Sequence, residues 1–181
     1  QLLREAGYPN GKGFPKMILH LNSGGDNYTL IAQAIQKMLQ ENLEVNIDLE
    51  VLPKPQHLDN AERGKSLFFR TAWIADYPDP ENFLMLLYGK NVPESPDERS
   101  YLNIMRYQSA TYDSLFEKAL RVTDVKERYR LFRIAEQAAI DDAVIMPIYY
   151  AEYTRLLQKN VRNFKANAME FRNFGEVYFE N

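Results

Sequence analysis

No cysteine occurs anywhere in the 181 residues. That excludes disulfides, thiolate nucleophiles and sulfur-ligated metals, and it leaves the redox compartment open. Histidine is nearly as scarce. His20 and His57 are the only two, far apart and in no metal-ligand spacing, so a zinc centre or a histidine-based triad lacks its residues. No apolar run approaches the roughly 20 residues that a membrane-spanning helix needs. No leader pattern opens the chain, so the sequence declares no export route of its own. A phosphate-cradling glycine loop is missing as well: Gly7, Gly11 and Gly13 precede the first strand instead of following it. Gly24-Gly25 is explained by a turn, although a helix start beside it offers N–H groups to an anion. Serine and threonine have no histidine base nearby, and there is no Gly-x-Ser-x-Gly elbow. A net charge of −3 supplies no electrostatic reason to expect nucleic acid or an anionic membrane as partner.

What is present is the balance of an ordinary globular protein, 45% hydrophobic and 26% charged, in a length that buries one sizeable core or at most two small ones. Twelve tyrosines and ten phenylalanines suit a large core or an aromatic-lined cleft. Gln1 to Gly7 reads as the last turns of a helix with a glycine stop, and with no methionine or N-cap before it the chain is expected to be a piece of a longer polypeptide. A turn-rich loop runs from Tyr8 to Pro15. Met17–Asn22 is a strand candidate, and helical spacing of Tyr28, Ile31, Ile35, Met38 and Leu39 predicts a helix to about Glu41. Val45, Ile47, Leu49 and Val51 then alternate with polar residues, as in a half-buried strand. Together these make a βαβ unit, expected to be right-handed. A short helix is expected near 56–63, a strand over 66–74, helices over 112–122 and 125–141, and a further strand over 144–150 that Pro147 restricts to an edge or an irregularity. Asp124 and Glu127 form a capping-box-like start to the helix at 125.

The segment from Arg70 to Phe83 stands out. An apolar strand delivers a cation, the only tryptophan and a carboxylate to a sheet edge, and Pro78 and Pro80 then stop it. Ligands of open α/β sheets bind beyond such strand ends. If the strand stays regular, Arg70 and Asp76 share one face. Asp76 is a ligand-contact candidate. A salt bridge to a neighbouring element competes with ligand contact for Arg70, and for Trp73 the residues alone favour core packing. Asp79 and Glu81 read as loop acids capping a short helix that starts near Pro80. A calcium site would need six to eight oxygens from a designed loop, which the prolines do not provide.

Several segments together resemble a known family. Leu2-Leu3-Arg4-Glu5-Ala6-Gly7-Tyr8-Pro9-Asn10-Gly11-Lys12-Gly13-Phe14 is similar to a segment of the extracellular solute-binding proteins of ABC importers, family 5, the oligopeptide/dipeptide/nickel class. Trp73-Ile74-Ala75-Asp76-Tyr77-Pro78-Asp79-Pro80-Glu81-Asn82-Phe83 resembles their "W-x-ADYPDP-x-NF" segment. Tyr112-Asp113-Ser114-Leu115, the helix 125–142 and Ile145-Met146-Pro147-Ile148-Tyr149-Tyr150 resemble the segments that follow, in the same order. Family members are much longer, with two lobes closing on a peptide or other small ligand.

The resemblance implies an α/β fold, a periplasmic-binding-protein-like type II lobe with a mixed β-sheet flanked by helices. Residues 1–160 would be the C-terminal lobe, and 161–181 a tail returning toward a missing N-terminal lobe. It implies capture of oligopeptides or a related solute and delivery to an ABC permease, without catalysis; members that take nickel chelates, sugars or other solutes leave the substrate open. No cofactor, metal site or nucleic-acid partner is expected. The full-length protein would be periplasmic or a cell-surface lipoprotein. Asp76 matches the aspartate that pairs with a peptide α-ammonium, Arg70 an arginine that in some members approaches a peptide carboxylate, and Trp73 and Ile74 cleft-wall positions. Two rival readings remain: a hydrolase or transferase using Asp76 with Asp79 or Glu81, and a regulator that uses the same lobe as a sensor.

Overall fold

The chain opens on the glycine stop that its first residues predict. In the computed structural model, helix α1 (Leu2–Glu5) ends at Ala6, and Gly7 follows with φ +90°. The Gly7 N–H donates to the Arg4 carbonyl at 3.1 Å and the Tyr8 N–H to the Leu3 carbonyl at 2.9 Å. This pair of bonds is a Schellman closure, which satisfies carbonyls that a helix end would otherwise orphan. The structure describes residues 1–180, the side chain of Asp26 excepted. Those residues form two compact units, Gln1–Ala72 with Met85–Ala110, and Trp73–Leu84 with the chain from Thr111 onward.

In the first unit, β1 (Met17–Asn22), α2 (Asp26–Leu43) and β2 (Ile47–Leu52) make the expected βαβ unit, with β1 and β2 parallel from Met17 opposite Ile47 to Asn22 opposite Leu52. Leu19 and Leu21 from β1, Ala32 from α2, and Val45 and Ile47 form its buried core, with Leu3, Phe14, Leu39 and Phe68 packed against it. Alternation along β2 holds at its start but not at its end: Val51 is exposed and Leu52 buried, so the face shared by Asp48 and Glu50 is not wet throughout. Helix α3 (Lys54–Glu62) follows and buries His57 and Ala61. The third strand, β3 (Phe68–Phe69), is parallel to β1 on its other side, giving the order β2-β1-β3.

β3 corrects the expected strand over 66–74. Its register sets Phe69 opposite His20, and one further bond joins the Arg70 N–H to the His20 carbonyl at 2.9 Å. Continued, that register would place Thr71 opposite Asn22, the last residue of β1. Beyond it no strand edge remains to pair with, and an unpaired ladder gains nothing from extended geometry. The condition for placing Arg70 and Asp76 on one strand face is therefore not met.

The second unit contains α4 (Glu81–Leu84), α5 (Ala110–Arg121, all but its first residue) and α6 (Val125–Asp141). The Asp124 carboxylate accepts the Glu127 N–H at 2.8 Å, half of the expected capping box; the Glu127 side chain turns instead to Arg130. Tyr112 and Phe116 stack with centroids 6.2 Å apart, and Phe132 lies 5.9 Å from Phe116, so three buried rings tie α5 to α6. The expected strand over 144–150 does not form. Met146, Ile148, Tyr149 and Tyr150 are exposed, and this run, interrupted by Pro147, pairs with no strand among the described residues. The pairing found later in the unit is antiparallel, between β4 (Val161–Arg162) and β5 (Tyr178–Phe179).

Candidate functional site

The Trp73–Leu84 segment is organised by a residue that carries no charge. Asn82 is fully buried. Its Oδ1 accepts the Trp73 indole N–H at 2.8 Å and the Asp76 main-chain N–H at 3.1 Å, while its Nδ2 reaches Asp76 Oδ2 at 3.4 Å. A side-chain amide thus takes the Asp76 main-chain N–H that a continuing strand would have paired. It also accounts for the chain turning where it does: Asp76 and Asn82 close a loop whose interior holds Pro78 and Pro80, neither of which has an N–H to satisfy.

The three acids of this loop have separate fates. Asp79 is gripped in bidentate fashion by Arg128, with Nη1 to Oδ2 at 2.5 Å and Nη2 to Oδ1 at 2.9 Å, and its Oδ1 also accepts the Glu81 N–H at 2.9 Å. Arg128 in turn lies 4.7 Å over the Phe132 ring. The guanidinium bond, first among the causes, holds the Asp79 carboxyl below its ordinary range. Glu81 accepts the Tyr77 hydroxyl and thereby raises the Tyr77 phenol above its usual value. Asp76 differs from both. It is exposed, and among the described residues its carboxylate has no cationic partner and only the long contact from Asn82. Two of the three acids are therefore spoken for, and a pair of free carboxylates for acid–base hydrolysis is not assembled here. Trp73 and Ile74 are also exposed, 39% and 54%, so the core-packing reading of Trp73 does not hold.

Arg70 belongs to the first unit and is held on several sides there. Its Nη1 donates to Asn22 Oδ1 at 3.0 Å, and its guanidinium carbon sits 3.5 Å from the centroid of the Tyr28 ring. Its carbonyl accepts from His57 Nε2 at 2.8 Å, which fixes the proton of neutral His57 on Nε2. Burial, the leading cause, pushes the His57 imidazole below its usual value. Among the described residues no acid pairs with Arg70, and the cation rests on an amide and an aromatic face. Among the described residues no cluster of His, Asp or Glu has the makings of a metal site, and no helix is long and apolar enough to cross a membrane.

Residues 1–94 match the family model of bacterial extracellular solute-binding proteins, family 5. The chain belongs to this family. Its relatives include the periplasmic oligopeptide-binding protein OppA of Escherichia coli, 32% identical over 87% of the chain and 27% of the relative, and the oligopeptide-binding protein OppA of Bacillus subtilis, 28% identical over 99% of the chain and 30% of the relative. Among solved structures, the E. coli murein tripeptide-binding protein MppA superposes with a TM-score of 0.85 at 27% identity, covering 98% of this chain and 33% of that one. The fold is accordingly that of this family's periplasmic binding proteins, and the chain spans about a third or less of the length of the relatives it matches.

Within this family 5 segment, sequence reasoning anticipated the capping role of Asp79 but missed Asn82 and Arg128. Arg128→Ala is expected to destabilise the second unit by about 2 kcal/mol, the scale of a charge-assisted hydrogen-bond pair that is only partly exposed. Because the folded state keeps Asp79 ionised below its ordinary value of 3.8, this stabilisation is complete above pH 3.8 and is lost as pH falls through the lower folded value. Urea melts of both proteins at pH 7 and near pH 3 check this. The difference between them should narrow in acid, and a constant gap would refute the assignment.

Proposed function

We propose that the chain is the C-terminal lobe of a two-lobe solute-binding protein that captures oligopeptides and hands them to an ABC permease. Asp76 is the anchor for the peptide α-ammonium, and Trp73 and Ile74 line the wall beside it. The observation that carries the reading is the exposed Asp76 carboxylate, oriented by a buried amide while its neighbouring acids are engaged. A carboxylate without an internal cation is free to take one from a ligand, in a charge-assisted hydrogen bond stronger than a neutral one. Arg70 is the proposed contact for a ligand carboxylate: Asn22 occupies one N–H of a guanidinium that has five. Main-chain pairing along an extended peptide would add affinity without demanding a sequence.

The same proposal makes residues 1–160 the lobe and 161–181 a tail that returns to the other lobe. Its support is the exposure of Phe171, Phe174, Tyr178 and Phe179, aromatic surface that a partner would cover. The protein works as a binder and not as a catalyst, in the periplasm or as a lipoprotein on the cell surface. Native mass spectrometry of the full-length protein, purified without refolding, tests the ligand class. Co-purified short peptides are expected; non-peptide solutes alone would overturn it. The isolated chain should bind peptides weakly or not at all, because hinge closure between lobes is what buries the ligand. Micromolar binding by this chain in isothermal titration would contradict that.

A further inference from the structure

We infer that Asn82 is the positioning residue of the ammonium site: it orients the Asp76 carboxylate and couples it to Trp73. This rests on the reading of Asp76 as the ammonium anchor. The amide is fully buried although it lies one residue from the exposed Phe83. It turns both of its ends to two of the proposed ligand-facing residues, with the Trp73 indole and the Asp76 N–H on Oδ1 and Asp76 Oδ2 beside Nδ2. A buried amide must place its donors and acceptor somewhere. Here they fix the main chain at Asp76 and restrict one carboxylate oxygen, Oδ2, which leaves Oδ1 to face a ligand. Preorganisation of this kind lowers the ordering cost that ligand binding would otherwise carry. The amide must be neutral and two-sided: an acid at 82 would offer Asp76 no donor, and an apolar residue would leave both N–H groups without an acceptor.

The test measures binding of trialanine and N-acetyl-trialanine to the full-length protein by isothermal titration. The parent protein should prefer the free amine, and Asp76→Asn should remove that preference. Asn82→Leu, and the milder Asn82→Ser if the first does not fold, should lower affinity for the free amine by about tenfold and for the acetylated peptide much less. In the Asp76→Asn background, Asn82→Leu should leave the ratio of the two affinities unchanged, because the positioned group is gone. A merely structural role would instead weaken both peptides alike, and that result overturns the inference while the anchor reading stands. If the parent protein shows no preference, or Asp76→Asn leaves it intact, the anchor reading fails and takes this inference with it. Trp73 is the sole tryptophan of the chain, so its indole N–H is readily assigned in any fragment spectrum of this chain. Its proton resonance should move on Asn82→Leu, and an unmoved resonance contradicts the proposed coupling.

Discussion

Replacing Gly11 by alanine is expected to cost about 3 kcal/mol or more, enough to unfold a marginal unit. A Cβ at that position would lie 2.5 Å from the Glu44 carbonyl oxygen, 2.7 Å from the Glu44 carbonyl carbon and 2.7 Å from the Leu43 carbonyl oxygen. All three are backbone atoms at the C-terminal end of α2, where Glu44 already sits at φ +56° to close the helix. No rotamer change can move them aside, so the helix end or the loop must shift. Gly13 supplies the control. Its φ of +79° is close to the +67° of Gly11, yet nothing lies within 4 Å of the place a methyl would take there. Gly13→Ala therefore carries only the left-handed backbone cost, about 1 kcal/mol. Urea melts of the two variants separate steric approach from conformational preference. Equal losses would show that the close approach at Gly11 does not matter.

That pair also marks how far the sequence can be read. Gly7 as a helix stop is legible because the signal is local: a helical run, then a residue that tolerates positive φ. The special status of Gly11 over Gly13 is not, since it depends on α2 ending beside the loop. The same division runs through the site. The loop at Pro78 and Pro80, and the helix after Asp124, can be read from the residues themselves. The early end of β3 cannot, because strand length is set by the partner, and β1 stops at Asn22.

Arg128 shows the most instructive miss. Helical spacing alone reads Val125, Tyr129, Phe132, Ala135 and Ala139 as the apolar stripe of α6, but Val125 and Tyr129 are exposed, 58% and 46%, while Leu131, Phe132, Ala135 and Ala139 are buried. The inward face thus continues N-terminally from Phe132 to Arg128, a helical neighbour four residues back. A hydrophobic count discards a cation at such a place. Its partner Asp79 is in view in the sequence; that one acid of the Asp-Tyr-Pro-Asp run is neutralised from α6 is not. Asn82 is visible only as the N of the family segment that Trp73 to Phe83 resembles; periodicity and composition give a single amide in a short helix no role. With both in place, the loop is held at each end, Asp79 to α6 and Asp76 to Asn82; Asp79 has a cation and Glu81 the Tyr77 hydroxyl, and the acid with neither is the one assigned to ligand.

Asp76→Asn should lower the affinity of the full-length protein for a free-amine oligopeptide by about a hundredfold or more, the cost of removing one partner from a desolvated charge pair. The substitution keeps the size of the side chain and an oxygen, so it changes charge and leaves the wall formed by Trp73 and Ile74 in place. An N-acetylated peptide, which lacks the cation, should bind parent and variant with similar affinity. The pH dependence sharpens the comparison. A peptide α-amine loses its proton near pH 8, so parent affinity should fall as pH rises through that value, and the variant should lack this limb. Asp79→Asn serves as the counter-test, because Asp79 is committed to Arg128. It should reduce stability and leave the free-amine preference intact. If the preference followed Asp79 instead of Asp76, the anchor would be the acid that already has a cation, and the assignment of roles within the loop would have to be reversed.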